Sequence, residues 1–158
     1  MASHEGGVTV YRQLEVVDRA RYLGIYYGPN TTFVSCTKEL FKVGQRVMYV
    51  LIHKLSRQGL LLPRIGLKCF DAQIRSILSY GVQVWGPERL LEVLRAEDTA
   101  GCGCFEKALK DPMVTLQQSF LRALAGVKVA PNNLLFREFD QYPLQVFWAK
   151  LVFRFWTE

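Results

Sequence analysis

Six residues at helical spacing have the chemistry to hold a polyanion: Lys38, Lys42, Arg46, Tyr49, His53 and Arg57. They lie in one stretch, TKELFKVGQRVMYVLIHKLSRQG, running from Thr37 to Gly59. At about 100° per residue on an α-helix they fall within about 100° of one another. Leu40, Val47, Met48, Leu51 and Leu55 gather on the opposite side. The stretch therefore reads as one helix with a basic stripe, carrying an aromatic ring, on one face and a core-facing stripe on the other. Such a face can neutralise a phosphate backbone, with Lys38, Lys42, Arg46 and Arg57 on phosphates and Tyr49 and His53 packing against sugar. A solvated face on an ordinary core helix has the same pattern, so the stripe alone does not decide a function.

Groups that could make or break bonds are missing from the usual arrangements. The chain has no Gly-rich phosphate loop, no GxSxG, no HExxH and no CxxC. Glu97 and Asp98 are adjacent acids with no histidine or basic clamp beside them in the chain. A two-metal phosphoryl-transfer site needs several acids converging on ions about 4 Å apart. Most of the fourteen carboxylates instead alternate with bases on predicted helix surfaces. Cys36, Cys69, Cys102 and Cys104 are irregularly spaced and suggest no disulfide framework. Cys102-Gly-Cys104 lacks two further ligands at zinc-site spacing, and His4 and His53 are the only histidines. The expectation is no catalytic residue, no metal site and no cofactor in this chain.

The elements that must position the stripe follow from composition and punctuation. The chain has 158 residues, half apolar and 13% aromatic, enough for one domain with a real core. A net charge of +6 favours polyanionic partners or anionic surfaces. The longest apolar run, Val47–Ile52, is far short of the ~20 residues of a membrane span, and MASHEGG resembles no secretory leader. An intracellular protein, nuclear or cytoplasmic and without membrane attachment, is expected.

Residues 1–7 read as a disordered polar tail. Val8 to Tyr27 reads as extended, with Gly28-Pro29-Asn30 as a turn. Ser35 or Thr37 is expected to cap the long helix, Gly44 to admit another backbone, and Gly59 to stop it. A second helix is expected over Arg64–Tyr80, with Leu67, Phe70, Ile74, Ile77 and Leu78 inward and Asp71–Arg75 paired on its surface. Gly86-Pro87 reads as a stop, followed by a short charged helix over Glu88–Ala96, a loop over Glu97–Gly103 with CGC at its tip, and a helical turn or two over Phe105–Lys110. Met113–Ala125 reads as a helix closed by Gly126, with Val114, Leu116, Phe120, Leu121 and Leu124 apolar. A short helix runs from Pro131 through Phe139, and Pro143 opens a last one, LQVFWAKLVFRFW. That last helix is apolar nearly all round, with Lys150 and Arg154 its only charges. It must be buried, or covered by downstream helices or a second copy. The fold class is α+β and predominantly α-helical: a disordered tail over 1–7, a small β-hairpin or strand element over 8–34, and a helical bundle over 35–158, truncated at its C-terminus.

The order of motifs is more specific than any one of them. ARYLGIYYGP precedes LFKVGQRVMYVL, then LPRIGLKCFDAQIRSILSYGVQVWGP, LQQSFLRALAGV and REFDQYPLQVFW. From about Ala20 to Trp156 this resembles the region downstream of the palm in non-LTR (LINE-type) retrotransposon reverse transcriptases. Those RNA-directed DNA polymerases carry a YLG strand, a basic first helix, an LFD…ILSYG.EVWG segment, an FLR.LLGV helix and a G..PL…W helix. The resemblance implies that Tyr22, Leu23 and Gly24 occupy a primer-grip-like position at the palm–thumb junction. It implies that 35–158 is a thumb-like domain whose basic helix faces a template–primer duplex, RNA–DNA or DNA. Gln83 stands where many relatives have an acid, and Asp140 where many have glycine. The YADD-type motif that binds the parent polymerase's Mg lies in the palm, and this chain has no such motif. The expectation is a fragment that is not an enzyme on its own and retains sequence-independent duplex binding. The alternatives are a non-functional transposon remnant and a domesticated helical protein-interaction module.

Overall fold

The computed structural model describes residues 2–5, 8–11, 20–27, 33–95 and 109–157. Among them are two β-hairpins and six helices, so the predominantly helical architecture with a small N-terminal β element is as the sequence predicts. The Gly28-Pro29-Asn30 turn, the 97–103 loop and both Cys102 and Cys104 lie outside the described residues.

Strands β1 (Ala2–Glu5) and β2 (Val8–Tyr11) pair antiparallel, with Glu5 opposite Val8. This corrects the expected disordered tail over 1–7. The register runs from Glu5 opposite Val8 to Ala2 opposite Tyr11. Strands β3 (Ala20–Tyr22) and β4 (Ile25–Tyr27) form the second hairpin, with Tyr22 opposite Ile25. Its tip is Leu23 at φ +48° and Gly24 at φ +81°. Two positive φ values in succession match the twist of the strands, and glycine meets that demand without strain where leucine does not.

Helix α1 (Val34–Arg57) has no side-chain cap of its own. The expected caps fall inside the helix, where the Thr37 hydroxyl donates back to Val34 O at 3.0 Å. Phe33 N donates instead to the Glu88 carboxylate at 3.3 Å. A residue 55 positions away therefore places negative charge at the positive end of the helix dipole. At the far end Gly59 has φ +65°, Leu60 N donates to Leu55 O and Gly59 N to Ser56 O, the paired bonds of a Schellman stop. Gly44 is buried, but the group that presses on it is a side chain rather than a backbone. A Cβ there would meet Leu78 Cδ2 at 2.7 Å.

Helix α2 comprises Pro63–Cys69, a π-helical turn over Phe70–Arg75, and Ser76–Leu78. The expected Asp71–Arg75 pair forms at 2.9 Å. Burial raises the Asp71 carboxyl above its ordinary range, and the Arg75 charge only partly opposes this. Gly81 at φ +64° breaks the chain direction before α3 (Val82–Arg95). Helix α3 runs through Gly86-Pro87, which corrects the expected stop. Proline in a helix interior costs about 3 kcal/mol. Burial offsets it here: Val82 and Trp85 are fully buried, and a Cβ on Gly86 would lie 3.0 Å from Val152.

Helix α4 (Pro112–Ala125) starts where Asp111 accepts from Met113 N at 2.8 Å and ends at Gly126, φ +68°. Its five expected apolar residues are all buried, as is Gln117. Gln117 donates to Tyr142 O and accepts from Leu144 N, so one buried amide ties α4 to the start of α6 (Leu144–Thr157). Between them α5 (Asn132–Glu138) stops at Asp140, φ +49°, with Gln141 N donating to Phe136 O. Asp140 thus holds a left-handed backbone that glycine adopts freely. Asp140→Gly is expected to raise stability by about 1 kcal/mol, read as an upward shift of the urea midpoint; a lower midpoint would contradict it.

The core joins these helices through two aromatic pairs. Phe70 and Phe120 have ring centroids 5.0 Å apart, and Trp85 meets Trp148 edge-on at 5.1 Å. Helix α6 buries Leu144, Trp148 and Val152 against α3 and α4, yet exposes Phe153, Phe155 and Trp156 near its end.

Candidate nucleic-acid interface

All six stripe residues lie on α1 and all six are exposed: Lys38, Lys42, Arg46, Tyr49, His53 and Arg57. The opposite face is the core side, with Cys36, Met48, Leu51 and Leu55 buried. Leu40 and Val47 are half-buried against that core. The helix that carries the stripe runs 24 residues without proline. From Lys38 to Arg57 it extends about 28 Å at ~1.5 Å per residue. That length covers roughly eight base-pair steps of a duplex at 3.4 Å each.

The electrostatics of this face are one-sided. Glu39 is the only carboxylate on α1, and it accepts from Lys42 Nζ at 2.9 Å. Both side chains are well exposed, so the pair contributes at most ~1 kcal/mol, and an ammonium with three donors can hold a second oxygen. Elsewhere three arginines are engaged, whereas Lys68, Lys128 and Arg137 also make no ion pair among the described residues. Arg75 is engaged by Asp71 and Gln141, Arg89 by Glu92 and Asp111, and Arg122 by Asn132. Among the described residues, no ion pair involves Lys38, Arg46, Lys54 or Arg57.

Lys54 belongs to the face but not to the stripe as read from the sequence. It is exposed, and with Arg57 it forms the basic end of α1. About 120° separates it from Lys42 on a helical wheel, outside the ~100° sector assumed. The exposed face is wider than that sector, taking in Val43 and Val50 as well. A wheel centred on the buried residues rather than on the charges would have included Lys54.

Tyr22, Leu23 and Gly24 come together at a different place, the tip of the β3–β4 hairpin. Tyr22 and Leu23 are exposed. The tip is held by the link between α2 and α3. The Tyr80 hydroxyl donates to Leu23 O at 2.7 Å, and its ring would lie 3.1 Å from a Cβ on Gly24. On the other side Gly81 leaves room for Ile25, whose Cδ1 would be 2.7 Å from an added Cβ. The link is anchored from below: Trp85 Nε1 donates to Tyr80 O at 2.7 Å, and Trp148 Nε1 to Ser79 Oγ at 3.0 Å. The YLG and SYG.QVW segments, 57 residues apart at the Leu23–Tyr80 bond, are therefore one structural unit. Neither segment shows this pairing by itself. Leu78 packs on the buried Gly44 of α1, and the stripe residues are on the exposed side of that helix.

No group of three or more His, Cys, Asp or Glu side chains is placed to hold a metal ion among the described residues. No helix among them is long and apolar enough to cross a membrane. The α1 face presents a row of exposed cations along the length of the helix. Comparison with protein-family models, with characterised proteins and with solved structures finds no match to this chain.

Proposed function

We propose that this chain is a thumb-like fragment of a non-LTR retrotransposon reverse transcriptase, and that its retained capacity is sequence-independent binding of a template–primer duplex along α1. The observation that carries this reading is the α1 face: five cations and one carboxylate on a helix whose other side is core. Phosphate contacts position a duplex without reading its bases, so RNA–DNA and DNA duplexes both fit. The catalytic aspartates and Mg of the parent polymerase lie outside this reading, and the chain is not an enzyme alone. A duplex titration by fluorescence anisotropy at several salt concentrations tests it. With about four phosphates neutralised, log K against log[salt] is expected to fall with a slope near −3.6. A slope near zero, or no binding at low salt, would sink the proposal.

A second reading is favoured by one specific surface. Phe153, Phe155 and Trp156 are all more than half exposed at the end of α6, and Phe155 and Trp156 stack edge-on at 5.5 Å. On that reading the chain is an interaction module, or an inherited remnant, that self-associates through α6. Size-exclusion chromatography with light scattering separates the two. Self-association that is lost in Phe153→Ser plus Trp156→Ser supports the second reading, and a monomer at all concentrations rejects it.

A further inference from the structure

Apolar surface among the cations of α1 is most exposed in the C-terminal half of the helix. Tyr49 is 60% exposed and Val50 54%. With His53 they line an open depression along the C-terminal half of the helix. Lys54 and Arg57 line the same depression, and Arg46 stands one turn before it, lining a neighbouring hollow that shares Val50 and Lys54. A duplex backbone uses the cations and reaches Tyr49 and His53 only through sugar and phosphate, because paired bases turn only their edges outward and leave the ring faces and Val50 without a flat partner. An unpaired nucleotide uses both parts. Its base offers a flat apolar face and its phosphates sit within reach of the rim.

We infer that Tyr49, Val50 and His53 form a stacking site for an unpaired base, so that α1 takes a single-stranded segment, with Arg46, Lys54 and Arg57 on its phosphates. The inference rests on the polyanion reading of α1 and narrows it: the preferred ligand has at least one unstacked base rather than being duplex throughout. Charge complementarity names the occupant. An apolar peptide would meet a rim of cations, and the carboxylate nearest in sequence on α1 is Glu39, ten residues before Tyr49.

The test compares three labelled ligands by anisotropy at one salt concentration: a twelve-residue oligothymidylate, an abasic strand of the same length and charge, and a blunt DNA duplex. The base-bearing strand is expected to bind at least about 5-fold tighter than the abasic one, the lower end of what one aromatic–base stack contributes. Tyr49→Ala is expected to bring the base-bearing strand down to the affinity that the same variant shows for the abasic one, and Tyr49→Phe to retain the preference. Tyr49 is exposed, so these variants leave the core intact, which circular dichroism checks. Equal binding of the base-bearing and abasic strands overturns the stacking site and leaves the phosphate reading standing. A preference that survives Tyr49→Ala also overturns the site as placed here. Failure to bind any of the three overturns both.

Discussion

Lys42→Glu combined with Arg46→Glu is expected to weaken duplex binding by about 30-fold at 0.15 M salt. The figure follows from counterion release. Each phosphate contact contributes about 0.9 to the salt exponent, so losing two of about four takes the slope from near −3.6 to near −1.8. Both residues are exposed on the middle of the α1 face, and neither side chain packs into the core. Arg46 has no acidic partner among the described residues, so its loss removes charge without freeing a carboxylate. Lys42 does have one, and Lys42→Glu places two carboxylates side by side with Glu39. That repulsion adds to the loss and makes the 30-fold figure a lower bound for this site. The weakening should be the same for duplexes of unrelated sequence, because the contacts are to backbone. Charge reversal at Lys128 and Arg137, exposed on other elements, is the control and should change affinity far less. Equal losses from both pairs would mean that net charge, and not the α1 face, governs binding.

Trp148→Ala is expected to be the most destabilising of the substitutions considered, costing about 3–5 kcal/mol. Trp148 has no solvent exposure, lies edge-on to Trp85 and donates its indole N–H to Ser79. Truncation leaves a cavity between α3, α6 and the end of α2, where the surrounding helices are tied by other buried groups and cannot collapse fully. For a domain with a total stability of ~5–15 kcal/mol this is a large fraction. The urea midpoint should fall by roughly 1.5–2.5 M. A fall under about 0.5 M would show that Trp148 does not brace the fold. Trp148→Phe keeps an aromatic ring and removes the bond to a half-buried hydroxyl, so it should cost distinctly less. The effect should also reach the hairpin tip. Ser79 and Tyr80 are adjacent, and Tyr80 holds Leu23. Faster hydrogen exchange at residues 22–25 in Trp148→Phe would report that link.

Much of the local architecture was legible in the sequence, for identifiable reasons. The core face of α1 followed from 3.6-residue periodicity, and its exposed stripe followed from the same count. The stops at Gly59 and Gly126 were readable because a left-handed residue there needs glycine. The buried faces of α2 and α4 were readable because Phe70, Ile74, Phe120 and Leu121 recur at helical spacing. Local signals failed where a distant partner outweighed them. Gly86-Pro87 punctuates a chain in isolation, but Trp85 and Val82 are buried against α6, and that burial carries the helix through the proline. Ser35 and Thr37 are plausible caps by type, but Glu88 reaches the helix start from α3. Asp140 is left-handed where α5 closes, a conformation that aspartate permits but does not require.

The candidate site divides along the same line. Periodicity along a single helix placed Lys38, Lys42, Arg46, Tyr49, His53 and Arg57 on one face, because residues on one helix keep a fixed angular relation whatever surrounds them. Two things needed the tertiary structure. One is the width of the face, since only packing shows which flank is covered and so brings Lys54 and Val50 into it. The other is the docking of the Tyr22-Leu23-Gly24 tip on Tyr80 and Gly81. That contact joins residues 57 apart through a hydroxyl, a ring and two glycines without Cβ atoms, and no one-dimensional pattern encodes such a distance.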